Sequence, residues 1–212
     1  MENFIEFVKS KTTGGHYALK AKNSKKAFIN PMDTCKSVSL KPDDIVVDIG
    51  AYVGEYSLYA IKQGVSRVIA YEPTPNTLKV LEMNKKNKMD IINRAVVGDD
   101  KKEVFLYLSK GIGVTNSIVK KKPNGIIIPT IKYEDAVKDA TVVKIDVEGA
   151  EYSYNIIQPQ LRAIILEFHP LVNQNWKIMA EKIIENIESS DFHRIKRPYF
   201  KHGWDYIGSW IK

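Results

Sequence analysis

Residues 45–57 read Ile45-Val46-Val47-Asp48-Ile49-Gly50-Ala51-Tyr52-Val53-Gly54-Glu55-Tyr56-Ser57. An apolar run comes first, an acidic residue and two glycines follow, and an amphipathic segment then continues to Lys62. This order predicts a buried strand, a tight turn and the start of a helix. Glycines at such a turn permit positive φ and a close approach of the backbone to a ligand.

The glycine spacing of this turn indicates which kind of ligand it binds. The pattern Asp-x-Gly-x-x-x-Gly lacks the closely spaced first glycine pair of dinucleotide-binding turns, and Asp48 stands where the first glycine would be. A carboxylate at that point repels a pyrophosphate but not a cationic ligand. We therefore expect a cofactor that combines a nucleoside with a positive centre, rather than NAD.

The turn resembles the glycine-rich motif of S-adenosylmethionine-dependent methyltransferases. The alternative interpretation is a strand-to-helix turn of some other α/β protein. The resemblance implies that the backbone around the two glycines packs against the methionine and ribose parts of S-adenosylmethionine. The cofactor-binding residues predicted in this segment are Asp48, Gly50, Ala51, Tyr52, Gly54 and Ser57.

Length and composition fit one globular domain with a short extension. The chain has 212 residues, of which 44% are hydrophobic and 27% are charged, as is usual for a soluble protein. We predict a lead-in over residues 1–40, packed on a methyltransferase domain over residues 41–212. The lone Cys35 excludes an internal disulfide and a zinc site made of cysteines.

Two further expectations concern location and the lead-in. No apolar run approaches the roughly 18 residues of a membrane span. The N-terminal apolar stretch contains acids and does not resemble a signal peptide, so we expect a cytoplasmic protein. Within the lead-in, the pattern favours a short helix over residues 2–10 and a short strand over residues 16–19.

The formal net charge is +7, from 32 Lys and Arg against 25 Asp and Glu. A basic chain favours anionic partners such as nucleic acid or phosphorylated sugars. The simpler alternative is that scattered lysines keep the protein in solution. No aromatic-interleaved RNA-binding signature accompanies the lysines.

Residues 67–71 predict a second strand, which ends on Glu72-Pro73. A carboxylate at this point can accept hydrogen bonds from both hydroxyls of a ribose, although a surface acid before a proline is the alternative.

Residues 91–97 predict a third strand, in which Ala95 and Val96 would flank an adenine ring. The stretches 104–108 and 126–128 are strand-like and predict a small β insertion where a helix would be expected.

Acidic residues crowd the end of the next strand, in the run Asp146-Val147-Glu148-Gly149-Ala150-Glu151. Like charges this close raise one another's pKa and bind cations or donors well. Acids that favour the start of a helix are the alternative, because residues 151–157 predict a helix there. Strand five, over residues 163–166, precedes Glu167 and His169, which could form an acid–base pair or be structural.

Taken together, these motifs resemble the FkbM family of methyltransferases. The residues that carry the resemblance are Val47 to Gly54, Tyr71-Glu72-Pro73, Asn93-Arg94-Ala95-Val96 and Lys144 to Glu151, whose Asp-x-Glu-Gly-x-Glu motif is the most specific. The resemblance implies an α/β class I methyltransferase fold, with a mostly parallel seven-stranded sheet whose last strand is antiparallel. It also implies S-adenosylmethionine as methyl donor and O-methylation of a small molecule or sugar. Tyr52 departs from the small or amide residue that is frequent in the family.

We predict that Asp146 lies nearest the methyl group, contacting the cofactor and orienting or deprotonating the acceptor, with Glu148, Glu167 or His169 assisting. The chain matches neither a lysine general base nor the metal triad of catechol-type enzymes, so we predict no metal. Two other functions stay open at this stage. One is an RNA methyltransferase, suggested by the charge, and the other is a non-catalytic module that kept the cofactor site.

Overall fold

A computed structural model of the chain describes residues 7–11, 17–21, 35–109, 115–119, 121–170, 174–196 and 207–212. The strands are β1 Phe7–Lys11, β2 Tyr17–Ala21, β3 Ile45–Ile49, β4 Arg67–Tyr71, β5 Met89–Ile92, β6 Ala95–Val97, β7 Glu103–Tyr107, β8 Gly125–Lys132, β9 Val142–Ile145, β10 Ala163–Glu167, β11 His193–Lys196 and β12 Ile207–Ile211. The helices are α1 Glu55–Lys62, α2 Pro75–Asn84, α3 Tyr133–Ala136 and α4 Trp176–Glu188, with 3₁₀ turns at Cys35–Ser37 and Ala150–Ser153. In this part of the chain, no helix is long and apolar enough to cross a bilayer.

Seven strands form the central sheet in the order β11-β12-β10-β9-β3-β4-β5. Five strands, β10, β9, β3, β4 and β5, are parallel to one another. β12 is antiparallel to both β10 and β11. The mostly parallel seven-stranded sheet with an antiparallel last strand is therefore confirmed.

Both faces of the sheet are covered, as parallel sheets require. Alternate residues of β3 point to opposite faces, so Val46 and Val47 belong to different apolar clusters. The cluster around Val46 includes side chains of α1 and α2. The cluster around Val47 includes side chains of α3 and α4. The carboxyl ends of β3, β4, β9 and β10 consequently meet at one open rim between the helix layers, where ligands of such sheets bind.

The predicted β insertion is confirmed as a hairpin of β7 and β8.

The predicted strand over residues 91–97 is wrong as one element, because it is split into β5 and β6. Asn93 and Arg94 separate the halves: Asn93 donates to Glu72 O at 3.0 Å, and Arg94 donates to Thr130 O at 3.2 Å. After this break, β6 leaves the central sheet and pairs with β8.

The N-terminal lead-in differs from the predicted helix. Phe7–Lys11 is a strand, and it pairs antiparallel with Tyr17–Ala21, which contacts α2. The rest of the predicted helix, residues 2–6, lies outside the described residues, as does His16 of the predicted strand. Farther along, Ser37 bonds Ser209 at 2.7 Å, and Arg162 donates to Ser39 O at 3.1 Å, so the described end of the lead-in contacts the domain.

Candidate active site

The turn from Gly50 to Gly54, which we call the glycine turn, packs directly against the end of β9. Gly50 has φ +78°, and a Cβ atom there would lie 1.8 Å from the backbone oxygen of Asp146. The amides of Gly50 and Ala51 both donate to Tyr71 O, at 3.1 and 3.0 Å. Gly54 has φ +91° and starts α1. The turn is thus fixed to β4 on one side and to Asp146 on the other.

Glu72 organises the same turn from the end of β4. Its carboxylate accepts hydrogen bonds from the amides of Tyr52, at 2.9 Å, and Thr74, at 2.7 Å. Tyr52 adopts φ +53°, which a non-glycine residue rarely does. Burial raises the pKa of Glu72 to about 7, against the lowering effect of its bonds from Thr74 and Tyr52. The Thr74 hydroxyl also bonds this carboxylate, so of its roughly four acceptor positions one is left for a ribose hydroxyl. Glu72 is 5% exposed, and its contact with a cofactor stays a prediction.

Asp48 and Ser57 lie behind the turn rather than on its open side. Both have 0% exposure, and the Ser57 hydroxyl donates to Asp48 Oδ2 at 2.7 Å. Lys144 Nζ lies 3.3 Å from Asp48 Oδ1, forming an ion pair without a well-aligned hydrogen bond. The structure therefore gives Asp48 and Ser57 a supporting position, and direct cofactor contact by them stays a prediction.

Lys144 is a site residue that the sequence analysis missed. Its ammonium group also donates to Gly50 O at 3.0 Å and lies 3.3 Å from Asp146 Oδ2. It thereby connects the glycine turn, Asp48 and Asp146. The signal available in the sequence was a single charge inside the apolar strand Val142-Val143-Lys144-Ile145, since an unpaired charge is rarely buried.

The predicted catalytic residues lie together at the rim, and we call Asp146, Glu148, Glu167 and His169 the rim cluster. Three carboxylate oxygens surround His169 Nε2: Asp146 Oδ1 at 3.5 Å, Glu148 Oε1 at 3.6 Å and Glu167 Oε1 at 3.9 Å. The four side chains are between 14% and 27% exposed. They are therefore within reach of a bound molecule, unlike Asp48.

Glu151 holds the imidazole from the opposite side. It has 0% exposure. Its carboxylate accepts from the amides of Gly149 and His169, both at 2.8 Å, and lies 3.1 Å from His169 Nδ1. The predicted helix over residues 151–157 is wrong, because only a 3₁₀ turn forms at Ala150–Ser153. Glu151 points inward in that turn to bind these donors.

The rim cluster is electrostatically crowded. Burial, with the charge of Asp146, raises the pKa of Glu167 to about 8 and that of Glu148 to about 6, while the charge of His169 opposes both shifts. Burial alone would lower the pKa of His169, but the bond to Glu151 and the surrounding carboxylates raise it to about 10. At neutral pH these pKa shifts favour a proton on Glu167 and a positively charged His169 among the carboxylates.

The β insertion borders the site, which sequence reasoning did not anticipate. The hydroxyl of Ser117 donates to Glu148 O at 2.7 Å, and Asn116 donates to the Thr74 hydroxyl at 3.2 Å. Glu148 itself has φ +53°. This segment therefore links the rim cluster with the neighbourhood of Glu72.

The predicted adenine contacts are less accessible. Ala95 and Val96 are each 4% exposed, and the Tyr154 hydroxyl donates to Val96 O at 2.9 Å. Half-buried Pro73 accepts a bond from Asn93 at 3.2 Å. Contact of these three residues with a cofactor stays a prediction.

Solved structures of low sequence identity share this fold. TYW2 of P. horikoshii, solved in complex with MeSAdo, is 16% identical, with a TM-score of 0.50 and coverage of 94% of this chain and 67% of that one. A putative rRNA methylase from Clostridium thermocellum is 8% identical, with a TM-score of 0.50 and coverage of 82% and 89%. The fold predicted from the sequence, that of class I methyltransferases, is confirmed.

No curated protein matches the sequence. A family comparison is more specific: residues 48–209 match the methyltransferase FkbM domain. That range contains the glycine turn, Glu72 and the whole rim cluster. The chain therefore belongs to the FkbM methyltransferase family.

Proposed function

We propose that this protein is an S-adenosylmethionine-dependent methyltransferase that methylates a hydroxyl oxygen of a small molecule or sugar. One observation carries the proposal: the end of β9 contacts both halves of the site. The backbone oxygen of Asp146 abuts Gly50, while its carboxylate belongs to the rim cluster. A methyl donor held at the glycine turn would thus lie beside groups that can bind a hydroxyl.

The residues at the turn fit this cofactor. Gly50 lets the turn pack directly on the backbone of Asp146, and Glu72 lies at the end of β4, where a carboxylate can accept a hydrogen bond from a ribose hydroxyl. The carboxylates suit a sulfonium centre electrostatically. S-adenosylmethionine would supply a methyl group that is already activated, so the protein's task is chiefly alignment.

The acceptor side rests on the partial exposure of the rim cluster. Asp146, 21% exposed, is the carboxylate next to the glycine turn, and it would accept the hydrogen bond of the acceptor hydroxyl. Removal of that proton as the oxygen attacks is worth about 10²–10⁴-fold in rate. Lys144 holds the other oxygen of Asp146 in place.

Calorimetry with S-adenosylmethionine and its demethylated product tests cofactor binding, and labelled-methyl transfer to fractionated small molecules tests activity. We expect Asp146→Asn to lower turnover by about 10²–10⁴-fold with little change in cofactor affinity. Asp99→Asn, at an exposed acid paired with Lys101, is the matched control and should change neither. Equal loss of turnover and affinity in Asp146→Asn would contradict the assigned role.

An RNA acceptor is the second candidate, supported by the net charge of +7 and by Lys122, whose charge acts on Glu148 at the rim. RNA binding would weaken steeply with salt, and nuclease would destroy the labelled product. A non-catalytic module is the third candidate. It would bind the cofactor and label no acceptor pool.

A further inference from the structure

We propose that the rim cluster binds one divalent cation of the first transition row, such as Mn²⁺ or Zn²⁺, through Asp146, Glu148 and His169. The ligand atoms that these three residues offer lie within 4.8 Å of one another. This departs from the absence of metal predicted from the sequence. Cation binding rests on the arrangement and charge of these side chains, whereas its part in the reaction rests on the methyltransferase function proposed above.

The first observation is the spacing around His169 Nε2. A charge-assisted N–H···O⁻ bond is about 2.7–2.9 Å long, but the nearest carboxylate oxygens lie at 3.5 and 3.6 Å. Two atoms that both bind a cation at about 2.0–2.3 Å lie roughly 3–4 Å apart. Nε2 thus lies at a ligand-like separation from both carboxylates, and the ligand atoms of all three residues lie within 4.8 Å of one another.

The second observation is the orientation of the imidazole, which comes from outside the triad. Fully buried Glu151 engages His169 Nδ1 at 3.1 Å and the amide of the same residue at 2.8 Å. Metal-binding histidines usually have their other ring nitrogen bonded to a carboxylate or carbonyl in this way. Glu151 therefore directs Nε2 towards the carboxylates of Asp146 and Glu148.

The third observation is the balance of charge. Asp146, Glu148 and Glu167 converge on Nε2, while Lys144, beside Asp146, is shared with buried Asp48. A divalent cation bound at Nε2 would replace the imidazole proton as the positive charge among these carboxylates. One imidazole with two carboxylates suits Mn²⁺ or Zn²⁺ better than Ca²⁺, which prefers oxygen ligands alone.

The position of the site suggests a role for the cation. Three protein ligands leave coordination positions of the cation open for oxygen atoms of the acceptor. Glu167, whose Oε1 lies 3.9 Å from His169 Nε2, could serve as a fourth ligand. A cation there would orient the acceptor hydroxyl towards a donor held at the glycine turn. The acceptor would then be a molecule that presents oxygen ligands, such as a sugar.

The test uses the full chain freed of metal by chelator dialysis and titrated with Mn²⁺, followed by electron paramagnetic resonance and calorimetry. We expect one site per chain. Glu148→Gln and His169→Gln should abolish binding, and Glu151→Gln should weaken it about 10–100-fold. Exposed His193 and Asp100 provide the controls His193→Gln and Asp100→Asn, which should bind like the native protein.

Folding of the variants is checked by the melting temperature without metal, and added Mn²⁺ should raise it only where the site is intact. Millimolar binding that is equal in native protein, triad variants and controls would mean an adventitious ion only and would overturn the proposal. Calorimetry with the demethylated cofactor product, run without metal, separates the two proposals. Product binding without Mn²⁺ binding overturns the cation site alone, and the reverse result overturns the proposed function.

Discussion

Replacing Gly50 with alanine should destabilise the protein by more than the cost of holding alanine in a left-handed backbone conformation. Alanine at φ +78° costs about 1–2 kcal/mol for the left-handed conformation alone. The new Cβ would also lie 1.8 Å from Asp146 O and 2.9 Å from Asp146 C. Those atoms are backbone, fixed in part by the bond from the Asp146 amide to Ile49 O at 3.0 Å, so the turn and β9 must separate.

The chain contains a matched control for this change. Gly64 has φ +89°, and a Cβ there meets no atom within 4 Å. Gly64→Ala should therefore cost only the conformational term of about 1–2 kcal/mol. Gly50→Ala adds an overpacking cost of about 1–3 kcal/mol, for a total of about 2–5 kcal/mol.

Urea denaturation of both variants measures the difference in the free energy of unfolding. Calorimetry should also show that Gly50→Ala binds S-adenosylmethionine more weakly, because the turn moves away from Asp146, whereas Gly64→Ala binds it normally. Equal destabilisation by the two variants would refute the argument that close contact between the turn and β9 requires glycine at position 50.

Three further predictions concern charged groups. Cofactor affinity, measured by calorimetry, should fall as the pH drops below about 7, where Glu72 gains a proton, and Glu72→Gln should remove most of this pH dependence. If the affinity of the native protein did not change with pH, the Glu72 carboxylate would not be the ribose ligand. Lys144→Met leaves the buried Asp48 carboxylate without its cation and should cost about 3–5 kcal/mol. Urea denaturation should show that Asp48→Asn restores part of this loss, and no restoration would contradict the ion pair. Burial opposes ionisation of Asp44, but the bond from Arg162 holds its pKa below the usual value, so Asp44→Asn should cost about 1.5–3 kcal/mol at neutral pH. A depressed carboxyl pKa gives stability that is lost as the pH falls, so this last difference should shrink in acid denaturation, and a constant difference would contradict it.

Local sequence signals predicted the central strands well. Apolar runs bounded by turn residues marked β3, β4, β9 and β10, because a strand buried on both faces needs nearly continuous apolar residues. Asp146, Glu148 and Glu167, at the ends of β9 and β10, lie together at the rim because parallel strands direct their carboxyl ends the same way.

Elements that depend on distant partners were harder to predict. Residues 91–97 look like one strand, but Asn93 bonds to the end of β4 and the chain then turns to pair with β8. Phe7–Lys11 has an amphipathic pattern that suits a helix, yet it pairs with Tyr17–Ala21. Such pairings override local propensity.

The sequence by itself determined the sheet, the glycine turn and the group of acids and histidine at the rim, since each depends on neighbouring residues and on the direction of parallel strands. Only the tertiary structure decided what each carboxylate does. Asp48 became a buried partner of Lys144, Glu151 a support for His169, and Asp146, Glu148 and Glu167 the accessible groups. Burial and hydrogen-bond partners set the role of a charged group, and both come from segments far apart in the chain.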